Sequence, residues 1–185
     1  MLIFEKITPE NTAVALKIAF DKARDLPTDI VLSSTTGASA LMATRFAADA
    51  GFKGRIIVVT NAWGMESAGK NELPEKERKK LEEAGAYIVT AAHALSGAER
   101  AISGKFGGIY PVEIIAHTLR MLSQGVKVCV EITTMALDAG ALKNPCPVVA
   151  LAGTGSGLDT VCVITPGYSA KIFEARVHEI LCKPF

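Results

Sequence analysis

A run of hydroxyl-bearing residues around a glycine offers the clearest chemistry in this sequence. It follows the predicted strand Asp29–Ser33 and opens a predicted helix, and its members are Ser33, Ser34, Thr35, Thr36, Gly37, Ala38 and Ser39. Free N–H groups at a helix start, together with the helix dipole, favour an anion. Hydroxyls can donate to phosphate oxygens, and glycine lets the backbone approach a ligand closely. The turn therefore predicts a phosphate site, although serine and threonine also serve as ordinary helix caps.

A second segment rich in glycine runs from Gly153 to Gly157. Its residues Gly153, Thr154 and Gly155 can form a concave nest of backbone N–H groups, which suits an anion. A strand rather than a helix is predicted after it, so the segment lacks the context of a dinucleotide-binding loop. The turn at Ser33–Ser39 likewise lacks the Gly-Lys-Ser/Thr ending of a P-loop. A flexible hairpin turn is the alternative interpretation of Gly153–Gly157.

Other polar side chains are predicted at the ends of two further strands. Asn61 follows the predicted strand Arg55–Thr60, and three residues end or follow the predicted strand Val126–Ile132, namely Glu131, Thr133 and Thr134. A carboxylate at the end of an apolar strand is costly unless it has a partner. Glu131 therefore either binds ligand hydroxyls or ring nitrogens or caps a neighbouring helix. No histidine or cysteine has a partner at the spacing of a metal site, so no metal is predicted.

The elements that must position these residues alternate between strand and helix. The predicted parallel strands are Asp29–Ser33, Arg55–Thr60, Ala86–Thr90 and Val126–Ile132. This alternation predicts one α/β domain over residues 1–185, with a doubly wound, mainly parallel sheet. Val148–Ala152 and Asp159–Thr165 are predicted to add antiparallel strands near the C-terminus, and Ile172–Cys182 an edge strand, with a helix as the alternative. Ligands of such sheets bind at the C-terminal ends of the strands, where the strand order switches.

Composition and charge exclude several classes of protein. The chain has 20 Lys and Arg against 19 Asp and Glu, so its charge gives no case for binding nucleic acid or an anionic membrane. No apolar run approaches the ~20 residues that span a bilayer, and the N-terminus does not resemble a secretory signal. The four cysteines are scattered without a CxxC pair. We therefore expect free thiols and a cytoplasmic protein.

The order of these elements resembles the C-terminal α/β domain of pyruvate kinase. In that family a strand leads into a Thr-x-Ser-Gly-Arg-Ser-Ala-like turn, comparable to the run Ile30–Ala40 here, and the resemblance covers roughly Asn11–Val130. In sugar-bisphosphate-regulated members this turn holds the effector's phosphate, which implies the same role for Ser34, Thr35, Thr36, Gly37 and Ser39. Ala38 stands where the regulatory turn usually has arginine, which argues against strong bisphosphate binding. The catalytic barrel has no counterpart in this sequence, so no pyruvate kinase activity is expected.

The resemblance also implies a strand order and a ligand. The family's order, 3-2-1-4-5, would place the switch between the strands ending at Ser33 and Ile132. The chain looks like free-standing archaeal and bacterial proteins that carry only this domain, and these suggest flavin mononucleotide (FMN) as the ligand, bound with its phosphate at Thr36 and Gly37. Glu131, Thr133 and Thr134 would then face the ribityl chain or the ring. A flavin-dependent oxidoreductase is one interpretation; a non-catalytic sugar-phosphate effector or regulatory module is the alternative, and a homo-oligomer is compatible with either.

Overall fold

A seven-stranded sheet forms the middle of the molecule. The computed structural model describes residues 1–185. Its strands are β1 (Leu2–Phe4), β2 (Ile30–Ser33), β3 (Ile56–Val59), β4 (Tyr87–Val89), β5 (Val148–Ala152), β6 (Thr160–Thr165) and β7 (Arg176–Pro184). From edge to edge the order is β1-β7-β6-β5-β2-β3-β4. Numbered from β2, the first five strands follow the predicted order 3-2-1-4-5, so the α/β fold class is confirmed.

The strands fall into a parallel block and a C-terminal extension. β5, β2, β3 and β4 are parallel neighbours. β6 is antiparallel to both β5 and β7, and β1 pairs with β7 in parallel. Because β5, β2, β3 and β4 are parallel, their C-terminal ends lie side by side at the same end of the strands, as the alternation of strands and helices predicted.

Helices cover both faces of this sheet. They are α1 (Asn11–Asp25), α2 (Ala38–Asp49), α3 (Glu75–Glu83), α4 (Glu99–Phe106), α5 (Pro111–Arg120) and α6 (Gln124–Asp138), with a 3-10 helix at Ser169–Glu174. α1, α2 and α3 pack on one face, against side chains such as Leu32 and Val58. α6 packs on the other face, against Val31 and Val59. Both faces of β2 and β3 are therefore buried, which explains their uninterrupted apolar sequences.

The segment predicted as the strand Val126–Ile132 is helical, and this prediction is wrong. It forms the middle of α6, in which 12 of 15 residues are buried because the helix lies between the sheet and α5. A helix that is apolar on nearly every side loses the period that separates it from a buried strand. Two local features favour the helix. The Ser123 hydroxyl caps it by accepting the N–H of Val126 at 3.0 Å, and Gly125 lets it approach the sheet so closely that an added Cβ would lie 2.0 Å from Oγ1 of Thr160.

The C-terminal residues form a strand, but not at the sheet edge. β7 replaces the predicted strand Ile172–Cys182, whose first residues belong to the 3-10 helix. β7 lies between β6 and β1, so the edge position was predicted wrongly. The edge belongs to β1, in which Leu2 pairs with Cys182 and Phe4 with Pro184. Three residues are too few to show an alternating pattern, so β1 had no signal in the sequence.

The four cysteines are free, as predicted; Cys129, Cys162 and Cys182 are buried and Cys146 is exposed. None of the helices, of which α1 and α6 are the longest at 15 residues, is long and apolar enough to cross a membrane.

Candidate functional site

A cavity of about 460 Å³ opens at the C-terminal ends of β2, β3 and β5. The strand order switches between β2 and β5. The chain leaves β2 through α2 on one face of the sheet, and it enters β5 after α6, which lies on the other face. The switch therefore lies between Ser33 and Ala152, and not between Ser33 and Ile132 as the misassigned strand implied. Pairing of Leu32 with Leu151 brings the turn after β2 beside the turn after β5. Two segments that are distant in sequence thus form one wall of the cavity.

The turn after β2 contributes most of its predicted residues to this wall. Those that line the cavity are Ser33, Ser34, Thr35, Thr36, Ala38 and Ser39. The N-cap of α2 is Gly37, and no side chain caps the helix. The first backbone bond of α2 runs from the N–H of Leu41 to the carbonyl of Gly37 at 2.8 Å, so the N–H groups of residues 38–40 have no acceptor within the chain. In this structure the hydroxyls of this turn do not cap α2.

Gly37 itself faces away from the cavity. Its φ is +91°, in the left-handed region that favours glycine. A Cβ at this position would lie 2.8 Å from Cδ1 of Leu73 and 3.2 Å from Cβ of Glu77. Gly37 is therefore needed for the backbone path and for packing against α3. The expectation that it lets a ligand approach is not met.

The glycine-rich segment is a hairpin turn between β5 and β6, and hydrogen bonds to neighbouring side chains hold it in shape. The buried carboxylate of Asp159 accepts the N–H of Thr154 at 2.9 Å and the hydroxyl of Thr160 at 2.7 Å. The hydroxyl of Thr12 accepts the N–H of Leu158 at 3.0 Å. Four residues line the cavity, Gly153, Gly155, Ser156 and Gly157, whereas Thr154 does not. The turn is a hairpin, as the alternative interpretation held, but these bonds fix its shape.

Crowding explains the glycines of this hairpin. A Cβ on Gly153 would lie 2.1 Å from the carbonyl oxygen of Gly157, and one on Gly157 would lie 2.5 Å from Oγ1 of Thr12. Gly157 also has a φ of +78°. A side chain on Gly153 would force the two sides of the hairpin apart, and one on Gly157 would force the hairpin away from Thr12 of α1. The glycines therefore preserve the shape of the cavity wall.

The opposite wall is a stripe along α6. Its members recur at helical spacing and are Gln124, Lys127, Val128, Glu131, Ile132 and Met135. Glu131 is 2% exposed and accepts bonds from Nζ of Lys127 at 2.5 Å and from the N–H of Leu95 at 3.0 Å. Nδ1 of His93 lies 3.7 Å from its Oε2. Glu131 thus ties α6 to the segment that follows β4.

The surroundings of Glu131 keep it ionised. Burial alone would raise its pKa, but the His93 imidazole and the Lys127 ammonium outweigh burial and lower the pKa of Glu131 to about 2. Both of its oxygens are already engaged within the chain. This carboxylate is therefore an anchor for the cavity wall rather than a proton donor.

The two threonines predicted beside Glu131 do not reach the cavity. Thr133 and Thr134 are fully buried on α6, off the lining stripe. The Thr133 hydroxyl donates within the helix, to the carbonyls of Cys129 at 2.9 Å and Val130 at 3.0 Å. The Thr134 hydroxyl has no hydrogen-bond partner in the chain. Their predicted place at the cavity followed from assigning this segment to a strand. In the helix α6 they lie off the face that lines the cavity.

Sequence reasoning missed the cations of the cavity. Arg100, Arg120 and Lys127 line it together with one acid, Glu131, so with histidine neutral the lining carries a net charge of +2. Arg120 donates from Nε to Oε1 of Gln124 at 2.7 Å, and neither arginine forms an ion pair. Asn61 lines the cavity as predicted. Only the helical period of α6 could have revealed Lys127, and no local pattern marks the arginines.

The model of the pyruvate kinase alpha/beta domain matches residues 13–164. The chain belongs to this family. The matched residues run from α1 to β6 and so include the turn after β2, the hairpin and α6. The match therefore extends beyond Val130, where the resemblance recognised in the sequence ended. β1 and β7 lie outside the residues that match the pyruvate kinase domain. No group of three or more His, Cys, Asp or Glu side chains is arranged to hold a metal ion.

Proposed function

We propose that this cavity binds a phosphate-bearing small molecule, with the phosphate at the start of α2. One observation carries the proposal: the N–H groups of residues 38–40 have no acceptor within the chain, no side chain caps the helix, and Ala38 and Ser39 line a cavity of net positive charge. Backbone donors at a helix start and the helix dipole act together on an anion. Hydroxyls of Thr36 and Ser39 add donors beside them.

FMN fits the composition of both walls. The cavity volume lies within the range of about 300–1,000 Å³ that small-molecule sites occupy. Val128, Ile132 and Met135 give the α6 wall an apolar strip suited to one face of an aromatic ring, and Asn61 and Gln124 offer polar atoms to ribityl hydroxyls. Because Glu131 is engaged within the chain, its role would be to hold this wall in place. Bound FMN would supply the redox chemistry of an oxidoreductase.

A sugar phosphate that acts as an effector is the second candidate. Only six of the 24 lining residues are hydrophobic, which favours a ligand rich in hydroxyls. Arg100 and Arg120, which form no ion pairs, would bind a second anionic group. In this case the site would be regulatory and no chemistry would take place in it.

Titration with matched ligands tests the proposal and separates the candidates. FMN and riboflavin differ only in the phosphate, so recognition at α2 predicts that FMN binds at least about tenfold more tightly, the effect of one hydrogen bond to a charged group. Fructose 1,6-bisphosphate tests the sugar-phosphate alternative. Equal binding of FMN and riboflavin would reject phosphate recognition, and no binding of FMN, the sugar phosphate or inorganic phosphate would reject the proposed function itself.

A further inference from the structure

The loop between β3 and α3, residues 60–74, forms part of the cavity wall although few contacts hold it. We call it the β3–α3 loop. Asn61 and Met65 of this loop line the cavity, and residues 63–70 are all exposed. Its hydrogen bonds are mostly internal, such as the one from the N–H of Gly64 to the carbonyl of Lys70 at 2.7 Å. From residue 61 to residue 72, a single hydrogen bond reaches another part of the chain.

That hydrogen bond runs from the N–H of Ala62 to Nε2 of His93, at 3.4 Å. His93 follows β4 and lines the cavity, and its other ring nitrogen, Nδ1, lies 3.7 Å from Oε2 of Glu131. The segment that carries His93 is itself fixed to α6, because Leu95 is buried and its N–H donates to Glu131 at 3.0 Å. The imidazole therefore links the β3–α3 loop to the α6 wall of the cavity.

The contacts of this imidazole require one protonation state. Nε2 can accept the N–H of Ala62 only when it carries no proton, so a neutral His93 has its proton on Nδ1, towards the Glu131 carboxylate. A second proton would go to Nε2 and would place two donors opposite each other. The N–H of Ala62 would then lose its acceptor, whereas the charged His93 would keep the attraction of Glu131. Protonation would therefore break the contact with the loop and leave the contact with α6.

The charged groups around His93 make it the one that changes at mildly acidic pH. Glu131 and Lys127 of α6 and Arg100 of α4 line the cavity with it, and Arg78 of α3 donates to the hydroxyl of the residue that follows β4. Glu131 stays ionised, since its pKa is about 2. Histidine is the side-chain type that ordinarily gains a proton between pH 8 and pH 5, a range in which lysine and arginine keep theirs.

We propose that neutral His93 is a positioning residue that holds the β3–α3 loop at the cavity, and that protonation of His93 releases the loop. Asn61 and Met65 flank Ala62 and line the cavity from this loop, so release would remove one polar and one apolar contact from a bound ligand. Ligand binding would thus weaken as the pH falls from 8 to 5. This consequence rests on the proposed binding function, whereas the attachment of the loop does not.

Fluorescence of the protein without ligand tests the attachment. Trp63, the only tryptophan, follows Ala62 directly and is exposed, so its anisotropy reports how freely the start of the loop moves. We expect the anisotropy of the wild type to fall between pH 8 and pH 5. His93→Gln should keep a high anisotropy throughout, because an amide can accept one N–H and donate to a carboxylate without titrating. His93→Ala should show a low anisotropy at both pH values.

A second histidine provides the matched control. His178 contacts the hydroxyl of Thr165 at 2.8 Å and does not line the cavity, so His178→Gln should keep the pH dependence of the wild type. Circular dichroism should show that each variant folds. The comparison of the wild type with His93→Gln remains decisive if His93→Ala does not fold.

Titration with FMN measures the consequence for the cavity. At pH 5.5 the wild type should bind FMN about three- to tenfold more weakly than His93→Gln, which is the effect of about one hydrogen bond. At pH 8 the two proteins should bind FMN alike. The phosphate of FMN also gains a proton in this range, and comparing the two proteins at the same pH cancels that change.

Three results would count against these expectations in different ways. An anisotropy that does not change with pH in the wild type, or that falls equally in His93→Gln, would overturn the proposal. Equal FMN affinities at pH 5.5, with anisotropies that differ, would overturn the effect of the loop on binding. A wild type that binds no FMN at either pH would count against the FMN site, and the anisotropy would still decide whether His93 holds the loop.

Discussion

Replacing Ala38 by aspartate is the sharpest probe of the proposed phosphate site. Ala38 is the first residue of α2, is exposed and lines the cavity. An aspartate in the first turn of a helix is favourable by about 0.3–1 kcal/mol, so the variant should fold at least as well as the parent. Its carboxylate would nevertheless stand beside the free N–H groups that we assign to the phosphate. The substitution therefore separates folding from binding.

The expected loss of affinity can be worked out from the charges. A carboxylate roughly 5 Å from a phosphate repels each unit of the phosphate's charge by about 1.7 kcal/mol at an effective dielectric constant of about 40, which lies between the ~20 of a protein surface and the ~80 of bulk water. A phosphate monoester carries about −1.5 to −2 at pH 7. Repulsion of roughly 2.5–3.3 kcal/mol results, which weakens binding by about 70- to 250-fold. Added salt should reduce this ratio, since Ala38 is exposed to solvent.

Asparagine at the same position is the matched control, because it has the shape of aspartate without its charge. Calorimetric titration with FMN and with riboflavin should show Ala38→Asp weakening FMN alone and Ala38→Asn weakening neither by more than about threefold, well within 1 kcal/mol. Equal FMN affinity in the Asp and Asn variants would refute the assignment of the phosphate to α2. Gly37→Asp would not serve, because the positive φ and the contact with Leu73 would disturb the fold.

Three further substitutions and treatments test the fold around the site. Glu131→Gln should lower the free energy of unfolding in urea by about 3–5 kcal/mol, because it leaves the buried Lys127 ammonium unpaired. The pKa of Glu131 is about 2 in the folded chain against an ordinary 4.5, so its stabilisation is complete above pH 4.5 and is lost as the pH falls towards 2, a trend that Glu131→Gln should lack. Gly125→Ala should cost about 1–3 kcal/mol in the same urea assay, since its Cβ would meet Thr160; an unchanged midpoint would contradict the close helix–sheet contact. Thiol labelling of the native protein should modify only Cys146, because the other three cysteines are buried and burial raises the pKa of Cys182 to about 12; four reactive thiols without denaturant would contradict that burial.

The sequence predicted the elements whose patterns are local. β2, β3 and β4 lie within a residue or two of their predicted places, since a short apolar run bounded by turn residues is typical of a buried parallel strand. The turn from Ser33 to Ser39 was also visible, because a strand, a group of hydroxyls and a helix follow one another directly. The same local method failed at α6, where contacts with the sheet and α5 bury nearly every side. Burial by distant elements is information that a window of a few residues does not contain.

The error at α6 did not displace the cavity, and the reason lies in the strand order. β5 took the position that the family order assigns to the fourth strand, so the switch still falls beside β2. Its register with β2 then places Gly153 next to the hydroxyl turn. What the error did change is the chemistry of the other wall, since a helix presents every third or fourth residue and a strand every second. Lys127 and Glu131, which are one helical turn apart and form an ion pair, therefore both line the cavity, whereas Thr133 does not. The proposal of an anionic ligand thus rests on two observations. The hydrogen-bond donors lie in the turn after β2, which a local sequence pattern reveals. The positive charge around them comes from Arg100, Arg120 and Lys127, which only the fold brings to the cavity.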